Sequence, residues 1–206
     1  MKNAQKRSFT ITVFLFVILI LISFYFDPRV ASSAEGFRTD FLTSFFLNFG
    51  SLGTIFVLIV LLTALFLKEN RRKWILPLWV ASGLSIVTSF VLKVWVQRPR
   101  PFQLGLTSLI VGLEKARYFT WDFSFPSFHT MLIFSTLPFL EKEFPKFRYV
   151  WIVLAIVTGF SRIYFGLHFL SDVIAGGLIG YLIGTLMLGH NREGKFWERL
   201  YTKIFR

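Results

Sequence analysis

FLSDVIAGGLIGYLIGTLMLG, residues 169–189, runs for 21 residues with one charge, Asp172, and with glycine recurring at Gly176, Gly180 and Gly184. A hydrocarbon layer about 30 Å thick is crossed by roughly 20 apolar residues of helix, so this stretch predicts a membrane-spanning helix. Small residues at four-residue spacing form a face that permits close approach of a neighbouring helix. At 3.6 residues per turn the stripe drifts by about 40° per step, so only its near members are expected to share that face. The carboxylate is the anomaly. Four residues into an apolar helix it needs a partner, and His168, one turn earlier at i−4, lies on the same face.

Working outward, five further near-uncharged runs precede it: Phe9 to Phe26, Leu52 to Leu67, Trp74 to Trp95, Phe123 to Leu140 and Tyr149 to Phe165. The chain is 54% hydrophobic, with mean hydropathy +0.62. An all-α, integral membrane bundle of six helices follows. The connections are mostly too short for a second folded unit, and no internal repeat stands out. The chain therefore reads as one membrane domain over residues 1–206, ending in a basic tail at 190–206. Cysteine is absent, which excludes disulfides and thiolate chemistry.

A net charge of +12 raises the question of nucleic acid. The basic residues are parcelled between the apolar runs and form no continuous patch, so no nucleic-acid partner is expected; their distribution sets topology instead. Lys2, Lys6 and Arg7 precede the first run, Lys68 and Arg71 to Lys73 follow the second, and Lys142, Lys146 and Arg148 follow the fourth. By the positive-inside rule these segments and both termini are cytoplasmic, and residues 27–51, 96–122 and 166–168 face outward. The start of the chain loosely resembles a cleaved secretory signal ending near Ala31 to Ala34. The apolar run is long for that role and Asp27-Pro28-Arg29 intervenes, which favours a retained helix.

Ionisable groups in apolar spans cost at least ~2.5 kcal/mol each on insertion scales, so their positions are informative. Lys93 ends the third run, His129 begins the fourth, Arg162 lies near the end of the fifth, and His168 and Asp172 flank the start of the sixth. Alternating topology brings all five to one membrane face, together with Arg98 and Arg100. Singly, three of them have a plain structural explanation: Lys93 snorkels, Arg162 caps a helix C-terminus, and His129 is a hydrogen-bonded packing residue; Asp172 has none. Together they form a candidate polar site. Pro126-Ser127-Phe128-His129 opens the fourth helix, whose free N–H groups attract anions. Three cationic groups, a helix N-terminus and a serine hydroxyl beside two histidines and an aspartate suit a phosphate monoester or diphosphate.

The spacing resembles the three-part signature of the type-2 phosphatidic acid phosphatase superfamily, which also includes vanadium haloperoxidases and glucose-6-phosphatase. Lys93, six residues, then Arg100-Pro101 matches the first part. Pro126-Ser127-Phe128-His129 matches the second, with Phe128 where glycine is usual. Ser161-Arg162, five residues, His168, three residues, Asp172 matches the third. The likeness covers residues 53–189. Arg98-Pro99 offers a second Arg-Pro two residues early; register favours Arg100, with Arg98 as an auxiliary contact. The resemblance implies a metal-independent lipid phosphatase with no cofactor. In it His168 attacks phosphorus and Asp172 holds the other ring nitrogen, while His129 serves as acid and base. Lys93, Arg100, Arg162, Ser127 and the N–H groups of Phe128 and His129 bind the phosphate.

Two other classes fit parts of the inventory. Two histidines and a carboxylate match a facial metal triad, but three neighbouring cations would repel a divalent ion. An anion channel or transporter would use the arginines, yet leaves the His168/Asp172 pair without a task. The expected partners are the bilayer and a lipid phosphate: phosphatidic acid, phosphatidylglycerol phosphate or a polyprenyl diphosphate. The loop from Phe102 to Trp121, carrying Glu114, Lys115 and Arg117, is expected to shape the entrance.

Overall fold

The computed structural model describes residues 2–49, 52–110, 113, 123–190 and 195–204. Glu114, Lys115, Arg117 and Trp121 of the expected entrance loop lie outside the described residues. Among those described, eight α-helices and no strands occur: α1 Lys2–Glu35, α2 Asp40–Phe49, α3 Leu52–Lys68, α4 Ile75–Val96, α5 Phe128–Glu143, α6 Arg148–Tyr164, α7 Leu170–His190 and α8 Lys195–Ile204. Six of them carry the six apolar runs; α2 and α8 are additional. Four segments are long and apolar enough to cross a membrane, namely Val17–Glu35, Arg72–Leu104, Pro145–Tyr164 and Leu170–Gly189, while α3 and α5 are shorter.

One boundary departs from the sequence reading. Helix α1 does not stop at Phe26 but continues through Asp27 and Pro28 to Glu35. Proline removes one backbone donor, yet α1 carries on, and Asp27, Ala31 and Ala34 on its later turns are buried in the bundle. Helix α5 begins at Phe128, inside the apolar run from Phe123 and at the start expected from Pro126-Ser127. Pro126 disfavours helical backbone at Phe125, and Ser127 adopts the extended conformation of an N-cap.

Helix α5 is the centre of the bundle, buried from Thr130 through Leu140 except at the half-buried Phe134. Its Ser135 and Thr136 hydroxyls donate to the carbonyls of Leu132 and Ile133, satisfying polar groups that lipid-like surroundings would leave costly. It packs most extensively against α7 through glycine. A Cβ added at Gly176 would stand 2.6 Å from the Ser127 carbonyl oxygen, at Gly180 2.1 Å from that of Met131, and at Gly184 2.3 Å from that of Ser135. All three glycines therefore face α5, where drift alone predicted that only adjacent ones would. Rows of i, i+4 residues run obliquely to a helix axis, and a partner crossing obliquely follows the row. Beyond this seam, Ile55, Ile59, Leu62 and Phe66 of α3 join Leu78 of α4 and Phe139 of α5 in the main apolar cluster. At the end opposite the signature residues, Arg71 pairs with Glu143, whose other oxygen accepts the Trp74 indole N–H at 2.6 Å.

This seam yields a prediction. Gly180→Ala forces a methyl into the Met131 backbone and should destabilise by about 1–3 kcal/mol or more, the range for overpacking. Gly83→Ala, where nothing lies within 4 Å, should leave stability unchanged or slightly raised. Thermal unfolding of the two detergent-solubilised variants checks this; equal midpoints would mean that α5 and α7 do not meet as described.

Candidate active site

The site is assembled by four helix ends. Helix α4 stops because Gln97 takes a left-handed conformation, φ 51°, and the following Arg98-Pro99-Arg100-Pro101 cannot continue a helix. Lys93, in the last turn, donates its ammonium to the carbonyl of Phe123, fastening the loop that leads into α5. Arg100 is 5% exposed; its Nη1 donates to the Leu167 carbonyl at 2.7 Å and lies 3.4 Å from His168 Nε2.

Helix α5 presents its N-terminus. The Ser127 N–H donates to the Asp172 carbonyl at 3.0 Å, and the Ser127 hydroxyl accepts from Thr130 at 2.9 Å. That acceptance leaves the serine's own hydroxyl hydrogen to donate. Phe128 and His129 occupy the first turn, where backbone N–H groups have no intrahelical acceptor. The Phe128 ring packs against the cluster containing Leu78 and Leu132, so the residue that replaces the usual glycine is taken up by the core.

Helix α6 contributes Arg162 from its last turn, 5% exposed, with Nε donating to the Ser161 hydroxyl at 3.0 Å and the guanidinium over the Phe165 ring. The chain then turns at Gly166, φ 72°, and the N–H groups of Leu167 and His168 both return to the Arg162 carbonyl. Glycine is required there twice over, by its positive φ and because a Cβ would stand 2.7 Å from Thr107. Arg38, beside α2, secures this turn from outside by donating to the Tyr164 carbonyl, Thr107 and Ser108.

These constraints set the chemistry of His168, 3% exposed. Its Nδ1 lies 2.7 Å from the Ser124 carbonyl oxygen, which only accepts, so Nδ1 carries the proton and Nε2 keeps its lone pair. Burial above all, then the charges of Arg100, Lys93 and Arg162, holds the ring's pKa well below the usual histidine range and keeps it neutral. His129 stands within electrostatic reach of Arg162, His168, Arg100 and Lys93, so the sequence-predicted residues of four separate segments come together in one site.

Asp172 departs from expectation. Its Oδ2 stands 3.8 Å from His168 Nδ1, beyond a hydrogen bond, and accepts instead from the Phe169 N–H at 2.8 Å. Its Oδ1 accepts from Arg98 at 2.7 Å. The i,i+4 spacing brings the two side chains close, but the loop carbonyl of Ser124 occupies the ring nitrogen. Arg98, expected only as an auxiliary contact, is the residue that grips Asp172, while Arg100 reaches His168. Two participants were not anticipated: the Ser124 carbonyl, which no side-chain motif reveals, and Asp27 of α1, paired with Arg98. Asp27 had a signal, an ionisable residue abutting an apolar run. Among the described residues, no three His, Asp or Glu side chains are grouped to hold a metal ion.

The family model described as PAP2 superfamily matches residues 74–193. Phosphatidylglycerophosphatase B of Bacillus subtilis is 27% identical over 206 residues, covering 90% of this chain and 96% of its own. An undecaprenyl-diphosphatase of Sulfolobus acidocaldarius is 26% identical, covering 84% and 87%. The crystal structure of a transmembrane PAP2 type phosphatidylglycerolphosphate phosphatase from Bacillus subtilis superposes with a TM-score of 0.70 at 25% identity, covering 90% of this chain and 97% of that one.

The surroundings of His168 generate a prediction with a definite sign. A lowered pKa keeps the ring neutral as pH falls through the ordinary histidine range, and Arg100→Gln, by removing one repelling charge, should move its titration upward. NMR titration of protein labelled at its three histidines, with His168→Gln to assign the signal, measures both. A His168 that titrates as an ordinary exposed histidine would contradict the buried setting.

Proposed function

The chain belongs to the PAP2 superfamily and is a membrane lipid phosphatase, and we propose that it releases phosphate from a lipid phosphate or diphosphate through a phosphohistidine on His168. The observation that carries this reading is the Ser124 carbonyl on Nδ1, which leaves the Nε2 lone pair beside Arg100. Nε2 attacks phosphorus, the bond to the leaving oxygen breaks, and His129 gives that oxygen its proton. The ring, still protonated at Nδ1, becomes a phosphoimidazolium. Water, deprotonated by His129, then attacks phosphorus and restores the neutral ring. Lys93, Arg100 and Arg162 offset charge on the equatorial oxygens, assisted by the Ser127 hydroxyl and the N–H groups of Phe128 and His129.

Relatives named for phosphatidylglycerophosphate and for undecaprenyl diphosphate share a terminal phosphate on a lipid, and that shared group is the substrate proposed here. Phosphatidic acid, phosphatidylglycerol phosphate and polyprenyl diphosphates all present it. An anion channel would use the cations but would leave a histidine with a fixed tautomer and an unprotonated Nε2 idle.

Labelled phosphate should be trapped by acid quench on the unaltered chain and lost entirely in His168→Ala. His129→Ala should lower turnover of a lipid phosphate by about 10²- to 10⁴-fold, and an activated aryl phosphate, which needs no proton on departure, should recover part of the rate. Trapping on His168→Ala but not on His129→Ala would reverse the two roles.

The site is proposed to face outward, with both termini cytoplasmic. The support is charge: the turn at Arg72–Trp74, packed against α8, and the turn at Pro145–Phe147 carry the basic residues that the positive-inside rule keeps in the cytoplasm. The chain has no cysteine, so single cysteines report cleanly. Substitutions at the exposed Ser33 and Leu104 should react with an impermeant thiol reagent in intact cells, and one at Lys146 only after lysis. The opposite pattern would invert the topology.

A further inference from the structure

Helix α1 enters the site through Asp27, a residue outside the family-matched segment and 1% exposed. Its Oδ1 accepts the Ser171 N–H at 2.9 Å, and its Oδ2 accepts from the Ser171 hydroxyl and from Arg98 Nη2, the latter at 2.7 Å. The other arm of the same guanidinium, Nη1, donates to Asp172 Oδ1 and to the Ser171 hydroxyl, each at 2.7 Å. The flat faces are covered by the rings of Phe169, 3.9 Å from the guanidinium carbon, and Phe24, 4.8 Å away. One arginine, its side chain 18% exposed, is thus held between two buried carboxylates from different helices.

The charge arithmetic is informative. Arg98 paired with Asp172 alone would carry no net charge, and only the field of an ion-pair dipole would reach His168. Adding Asp27 gives two negative charges and one positive, a net of −1 whose nearest carboxylate oxygen, on Asp172, stands 3.8 Å from His168 Nδ1. The ring gains positive charge when Nε2 bonds phosphorus and Nδ1 keeps its proton. Among the groups named around it, Lys93, Arg100 and Arg162 all oppose that charge. The Asp27–Arg98–Asp172 unit is the compensating element.

We infer that Asp27 is a positioning residue of the catalytic centre: by gripping and neutralising Arg98 it lets Asp172 keep both its place and its negative field beside His168. The inference rests on the phosphohistidine reading above. The competing role for the clamp is docking of α1 alone, which predicts lost stability without lost chemistry.

The test is a double-mutant cycle on the full chain in detergent, reading the single-turnover rate of phosphoenzyme formation from phosphatidic acid and from an aryl phosphate, KM, and thermal stability. Asp27→Asn should slow phosphoenzyme formation about tenfold, within the coupling range of neighbouring buried charges, with KM changed less than about twofold. Added to Asp172→Asn it should cause no further slowing, and Asp27→Glu, which keeps the charge, should recover most of the rate. Should Asp27→Asn fail to fold, Arg98→Lys carries the same comparison, because an ammonium cannot bridge both carboxylates with a planar fork. Independent, multiplicative losses in the double variant, or a lowered unfolding temperature at an unchanged rate, overturn the inference. Absence of any His168-dependent phosphoenzyme in the unaltered chain removes the reading beneath it, and is distinguished by that control.

Discussion

The close contact of α5 with α7 is the constraint on which the site depends. Without side chains at Gly176, Gly180 and Gly184 the α7 backbone lies against the carbonyls of Ser127, Met131 and Ser135. In an apolar solvent the hydrophobic effect gives helices little reason to associate, so dispersion between close backbones takes over that role. The same contact sets the start of α5 on the first turn of α7, where the Ser127 N–H meets the Asp172 carbonyl. A helix N-terminus and its neighbouring His129 are thereby fixed relative to His168 and Asp172 to within a hydrogen bond.

Around that seam the cations are arranged in two ways. Arg98 is held by carboxylates and its charge is compensated within the fold. Arg100 and Lys93 are oriented by backbone carbonyls of Leu167 and Phe123. A carbonyl aims a cation without cancelling its charge, which leaves that charge available to an anion. The same logic applies to His168: a neutral carbonyl on Nδ1 selects the tautomer, while the carboxylate nearby supplies field without taking the proton. Orientation and charge are thus assigned to different partners.

Much of this was legible in the sequence for a physical reason: a charge in an apolar run is costly enough to mark itself. Lys93, His129, Arg162, His168 and Asp172 were found that way, and alternation of the runs gathered them at one face. Asp27 escaped because it sits just past the end of its apolar run, in the stretch 27–51 read as an outward connection. Pro28 did not end α1, and the next turns placed Asp27 inside the bundle.

By itself the sequence determined the all-helical membrane class, the gathering of ionisable groups at one end, and the family. Those properties follow from hydropathy, spacing and residue type, which are local. Only the tertiary structure decided which arginine takes which partner, that Ser124 and not Asp172 occupies Nδ1, and that Asp27 of α1 pairs with Arg98. Arg98 and Arg100 stand two residues apart, and a left-handed turn at Gln97 sends one toward Asp172 and the other toward His168. A backbone carbonyl is present at every residue, so its role depends on where the loop runs and not on what the residue is.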